Sequence, residues 1–212
     1  MTSSGPAPVT LLPHACLPDS ALRHWAEALA AVQHLEGDGL VAVLLPALRG
    51  GFEPLTLVAG LVPHTRRVGL VAGIDPAETS PFTAARRLAA LDHASGGRMG
   101  WMLPAGVEPA RAADYAAALR ALWDSWGDGL HRIGRTVGRY VETSGIRAAN
   151  NRGPFYRSAG PLDVARSPQG HPVHYAEHGA ALPGTPVDAR LGLVRPARAL
   201  GGPCGAPEGE AP

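Results

Sequence analysis

No lysine occurs in the chain; all 19 basic side chains are arginine, set against 18 acidic ones, for a net charge of +1. That balance supplies no long-range field for nucleic acid or an anionic membrane, so neither is expected as a partner. The arginine bias accompanies abundant Ala, Gly and Pro and reflects coding composition, so no function is drawn from it. Cysteine is nearly absent. Cys16 and Cys204 lie near opposite ends with no C-x-x-C spacing. That excludes a zinc or redox motif and leads us to expect two free thiols. No basic start precedes an apolar signal segment, and no apolar run approaches the roughly 20 residues of a membrane span, so the cytoplasm is the expected location. No metal site is expected: His174 and His178 have ligand spacing only on a helix, and Pro172–Tyr175 reads as a strand.

What is present is an alternation of apolar runs and helical periods within 212 residues, enough for one sizeable core. Leu11–Pro13 ends a short first strand, and Asp19 or Ser20 caps a helix through Leu22, Trp25, Leu29 and Val32 that stops near Gly37. The continuous apolar run Leu40–Leu45, closed by Pro46, suits a strand buried on both faces of a parallel sheet. Pro54 opens a second helix, Val68–Ala72 is a strand, and Pro81 opens a third helix ended by Gly96-Gly97. Met99–Leu103 follows as a strand. Ala110–Trp126 then places Tyr115, Leu119, Leu122, Trp123 and Trp126 on one helical face, where aromatics are core. Residues 127–152 read as an irregular excursion with a short helix around Arg135–Val141. Gly153–Arg157 and Pro161–Val164 are short extended pieces, and Pro172–Tyr175 is a fifth strand. Residues 1–182 form one domain, and 183–212 a mostly disordered Pro/Gly/Ala-rich tail.

Thr65–Ala72, Pro81-Phe82, Arg86–Trp101, Ala118–Trp126, Gly160–Val164 and Ser167–Val173 together resemble the luciferase-like, flavin-dependent monooxygenases, in the branch with the nitrilotriacetate and dibenzothiophene-sulfone monooxygenases. The resemblance spans roughly residues 8 to 180. It implies an α/β fold, an incomplete TIM-type (β/α) barrel of about five strands, because a full barrel needs about 250 residues. Exposed strand edges then call for a homo- or hetero-oligomer that completes the barrel. The resemblance also implies reduced FMN from a separate flavin reductase, and oxygenation of a small organic substrate. In the family, polar side chains at the carboxyl ends of the strands contact flavin. The corresponding positions here are Ala47, Gly73, Met102 and, in the phosphate loop, Gly179, so the usual carboxylate, hydroxyl and amide are missing. Two further readings follow: a non-catalytic, truncated paralogue that stabilises a full-length monooxygenase, or a decaying reading frame. Trp101 and His93 are expected to be structural, Asp92 and Arg98 to fix the helix-to-strand turn, and Asp75, Glu78 and Thr79 to lie near the pocket only if the alignment slips.

Overall fold

The computed structural model describes residues 14–136, 138–177 and 187–191. Four βα units run in order: β1 His14–Cys16, α1 Trp25–Gly37, β2 Ala42–Leu45, α2 Pro54–Leu61, β3 Gly69–Gly73, α3 Pro81–Ser95, β4 Met99–Met102 and α4 Pro109–Trp123. An excursion carries two hairpins, β5 His131–Gly134 with β6 Arg139–Val141 and β7 Asn151–Arg152 with β8 Arg157–Ser158. The chain then returns as β9 Val173–Glu177 and β10 Ala189–Leu191. The main sheet has the order β1-β2-β3-β4-β9-β10, and every neighbouring pair in it is parallel. Strand order never reverses, which is the winding of a barrel wall rather than of a doubly wound sheet. The ring is open among the described residues, with β1 and β10 as its edges.

Helices α2 and α3 begin where a side chain satisfies their free backbone N–H groups. Ser80 accepts a hydrogen bond from Thr83 N–H (3.3 Å) before Pro81, and Gly96 ends α3 at φ 70°, a left-handed conformation in which a side chain would be strained. Glu53 accepts from the N–H groups of Leu55 (3.2 Å) and Thr56 (2.8 Å), and its carboxylate also holds Arg87 of α3 at 2.6 Å. Helix α1 starts at Trp25, five residues after the expected Ser20 cap. The Leu22 carbonyl accepts from Phe52 N–H (2.8 Å) in the loop after β2, so residues 19–23 turn instead of entering the helix.

The helices cover one face of the sheet. Val43, Leu45, Leu70, Ala72, Met99 and Trp101 alternate onto that face and bury against Val32 of α1, Val58 of α2, Leu88 of α3, and Leu119 and Trp123 of α4. Three arrangements at the amino ends of the strands lock this layer. Arg98 donates to the carbonyls of Ser95 (2.8 Å), Val68 (2.8 Å) and Thr65 (3.2 Å) and to the Thr65 hydroxyl (3.0 Å). Asp92, fully buried, accepts from Met99 N–H (3.1 Å) and from the Gln169 amide (2.6 Å). Glu36 accepts three successive N–H groups, those of Arg66, Arg67 and Val68, at 2.9, 2.6 and 3.0 Å.

Burial opposes ionisation of Glu36, but those N–H groups outweigh it and hold its carboxyl below the usual glutamate range. Its contribution to stability is therefore present above the ordinary glutamate pKa and is lost as pH falls through the depressed one. Glu36→Gln is expected to cost about 1 kcal/mol at neutral pH. Urea melts of the two proteins should converge under acid conditions, and a cost that did not shrink with acid would contradict this linkage.

The excursion differs from its sequence reading. Among the described residues of 135–141 there is no helix; the segment belongs to the antiparallel β5–β6 hairpin, with Ile133 and Tyr140 largely exposed. Pro161–Val164 forms no strand, although Leu162 is buried there, its N–H donating to the Ser125 hydroxyl (3.0 Å) and its carbonyl accepting from the Trp126 indole (2.6 Å). Trp126 lies beyond the end of α4 at Trp123. Cys16 is disulfide-bonded, and no described cysteine is free, which corrects the expectation of two free thiols. Strand β10 falls within the tail, beside β9. The expected strand residues Leu11–Pro13 lie outside the described residues.

Candidate functional site

In barrel-type α/β folds the functional pocket lies at the carboxyl ends of the parallel strands, where the loops into the helices gather. Two cross-strand rows define that end on the face turned away from the helices. The deeper row aligns Cys16, Leu44, Val71, Gly100 and Val173 in register, and the upper row aligns Gly73, Met102, Tyr175 and Ala189. Leu44, Val71 and Met102 are buried there in a small apolar cluster of their own with Ala42, and Cys16 and Tyr175 pack against it.

Three of the four positions implied by the resemblance converge at this end. Gly73 and Met102 are register neighbours. Ala47 adjoins them: a Cβ built on Gly73 would lie 2.8 Å from Ala47 N and 3.1 Å from Pro46 Cα. The chain leaving β2 thus folds directly over the end of β3, and only glycine leaves it room. Gly179 lies outside the described residues, as does His178.

Tyr175 is the site residue that sequence reasoning missed. Its ring lies back across Gly100, where a Cβ would approach it to 2.7 Å, so the absence of a side chain at Gly100 seats the phenol on the wall. Burial, and then the nearby Asp188 carboxylate, raise the Tyr175 pKa, so the phenol stays protonated and remains a hydrogen-bond donor through neutral and mildly alkaline pH. Asp188 also accepts from His174 N–H (2.8 Å) and faces Arg120 at 3.6 Å.

The other candidates make structural contacts. Trp101 points into the helix layer, fully buried, where its indole donates to the Pro172 carbonyl (3.2 Å) and its ring stacks on His174 at 3.9 Å between centroids. His93 contacts the Ala165 carbonyl (3.2 Å). His171 meets the Asp124 carboxylate (2.7 Å), which Arg166 also holds (2.6 Å). Asp75 closes its own loop by accepting from Ala77 N–H (2.8 Å), and the Thr79 carbonyl accepts from the Tyr115 hydroxyl (2.9 Å). Among the described residues no group of three or more His, Cys, Asp or Glu is placed to hold a metal ion, and no helix is long and apolar enough to cross a membrane.

A singly wound parallel βα sheet with an apolar cluster on the face turned away from its helices is the wall of a TIM-type barrel. The chain belongs to the luciferase-like monooxygenase family, whose model matches residues 9–183. Among curated relatives it is 36% identical over 150 residues to a subunit of the pristinamycin IIA synthase of Streptomyces pristinaespiralis, covering 68% of this chain and 54% of that protein. It is 35% identical over 160 residues to nitrilotriacetate monooxygenase component A of Aminobacter aminovorans, covering 67% and 35% respectively. The chain thus spans about half, or less, of the length of these relatives. Among solved structures, a riboflavin lyase bound to modified FMN and riboflavin superposes with TM-score 0.70 at 22% identity, covering 82% of this chain and 51% of that one. Long-chain alkane monooxygenase gives 0.67 at 19%, covering 82% and 53%. These likenesses establish the barrel-type fold.

Proposed function

We propose that the chain supplies the flavin-binding wall of a reduced-FMN-dependent monooxygenase acting on a small organic substrate. The observation that carries this reading is that the family match runs through β1–β4 and β9, the strands that carry the apolar cluster opposite the helices. The pocket chemistry fits an isoalloxazine ring. Its two rows offer aliphatic and thioether side chains and one neutral phenol, with no ionised side chain among their described members. Leu44, Val71 and Met102 would bound the ring and exclude water, and Tyr175 would donate a hydrogen bond to it or to the substrate. The chemistry such a flavin supplies when bound is two-electron reduction of oxygen, with one atom going to the substrate and one to water. The reduced cofactor would come from a separate flavin reductase.

The edges at β1 and β10, open among the described residues, support pairing with further barrel structure, in this reading another copy or a full-length relative. Anaerobic titration with reduced FMN, followed by flavin fluorescence, tests the proposal on the protein alone and with such a partner. Saturable binding is expected, weakened several-fold by Met102→Asp, which places a charge in the apolar wall. Absence of any spectral change at high micromolar flavin in both preparations would refute it.

A further inference from the structure

The β7–β8 hairpin sets two arginines directly opposite one another: Arg152 and Arg157 are register partners in an antiparallel pair. Side chains of a cross-strand pair share a face of the ribbon, and like charges placed opposite each other repel. No carboxylate lies within ion-pair distance of either guanidinium among the described residues. Both side chains are exposed, yet they line a cavity of about 330 Å3 with Asn150, Asn151, Ser158 and Ala159. Asn151 and Ser158, one residue along each strand, point to the opposite face of the ribbon, and the Asn151 amide donates to the Tyr156 carbonyl (3.2 Å), so the donors on the arginine face are the two guanidinium forks, with no acid among the lining residues.

The hairpin is fixed rather than loosely attached. Asp114 of α4 accepts from the N–H groups of Phe155 (2.7 Å) and Tyr156 (2.8 Å) at its turn, and Gly153 leaves the space that this carboxylate occupies. The Tyr156 ring packs edge-on against Tyr115 at 5.2 Å, and its hydroxyl donates to the Pro76 carbonyl (3.2 Å), just beyond the end of β3. Arg111 lies over the Phe155 ring at 4.7 Å. Asp114 and Pro76 follow the carboxyl ends of β4 and β3, so the arginine pair is held at the carboxyl end of the sheet. Two exposed guanidinium forks on one face of a fixed hairpin can take a counter-charge from a ligand, and such planar donors suit a carboxylate or a phosphate in bidentate geometry.

We propose that Arg152 and Arg157 form an oxyanion-binding site for a carboxylate or phosphate group of a ligand reaching the carboxyl-end face. Anion binding here does not require flavin to be bound, so it can be tested apart from the monooxygenase reading. Calorimetric titration of the flavin-free protein with inorganic phosphate and with succinate is expected to show saturable binding by at least one of them. Arg152→Ala or Arg157→Ala should weaken it by about tenfold, Arg157→Lys by less, and the double alanine variant should abolish it. Arg135→Ala, in the other hairpin, should bind as the parent does. Without anion, the double variant should unfold at the same temperature as the parent or higher, because the repulsion is gone, and it should lose the rise in Tm that anion gives the parent. Competition then identifies the source of the oxyanion. Displacement of phosphate by FMN but not by riboflavin assigns the site to the cofactor's phosphate; displacement of succinate by neither flavin assigns it to a substrate carboxylate. No saturable binding of either anion in the millimolar range, or undiminished binding by the double variant, would overturn the proposal.

Discussion

Asp92→Ala is expected to lower the unfolding free energy by about 4 kcal/mol, because it removes a buried charge on which several donors depend. One carboxylate oxygen accepts from Met99 N–H (3.1 Å) and the Gln169 amide (2.6 Å), and the other from Gln169 N–H (3.3 Å). Asp92 is fully buried, so water cannot replace it, and alanine would leave these donors unsatisfied beneath β4. The Gln169 amide also donates to the Met99 carbonyl (2.8 Å), so one truncation loosens α3, β4 and the segment leading to β9 together. Asp92→Asn retains an acceptor and should cost less. The neighbouring His93→Ala, removing one exposed contact to the Ala165 carbonyl, should cost under about 1 kcal/mol. Urea denaturation of the three variants provides the comparison, and equal losses for Asp92→Ala and His93→Ala would show that the buried network is not what holds this corner.

Gly73→Thr gives the second large effect, and its interest is functional. It would introduce the hydroxyl that the resemblance implies for this strand end, yet it is expected to cost about 3 kcal/mol and to gain no flavin affinity. The obstruction is backbone: a Cβ at position 73 would lie 2.8 Å from Ala47 N, 3.1 Å from Pro46 Cα and 3.2 Å from Pro46 C. No rotamer relieves such a contact, so the loop after β2 must move, and even Gly73→Ala should be destabilising. Ala47 itself is exposed, so Ala47→Asp should leave stability within about 0.5 kcal/mol. Thermal melts with parallel FMN titrations measure both. A Gly73→Thr protein as stable as its parent would mean that the loop yields freely and that the glycine is not required by the fold.

Much of the sheet was legible because buried parallel strands are written as local apolar runs. Leu40–Leu45, Val68–Ala72 and Met99–Leu103 each contain the observed strand or nearly all of it, and Pro54, Pro81 and Gly96 mark helix ends as backbone chemistry requires. The two hairpins were not legible. His131–Gly134 is exposed along most of its length, so no buried face imposes a two-residue alternation, and its pairing with Arg139–Val141 leaves no hydrophobic signature. Strand β10 is three residues long, with β9 its sole neighbour in the described sheet, and so carries little pattern.

For the site, resemblance gave Ala47, Gly73 and Met102, and the fold brings those three together. Tyr175 was missed because the parity of β9 runs against polarity: His174 enters the helix-covered layer by stacking on Trp101, which sends the larger Tyr175 to the pocket face.

The sequence by itself determined the order of strands and helices from α1 to α4, the strand at β9, most of their limits and the family to which the chain belongs, because these rest on residues adjacent in the chain or on motifs preserved in order. Tertiary structure alone decided why position 73 is glycine, which side of β9 faces the pocket, and that Arg152 and Arg157 share a cavity. The physical reason is distance along the chain. Contacts such as Asp92 with Gln169, 77 residues apart, form only when the completed fold brings their segments together, and no local pattern encodes them.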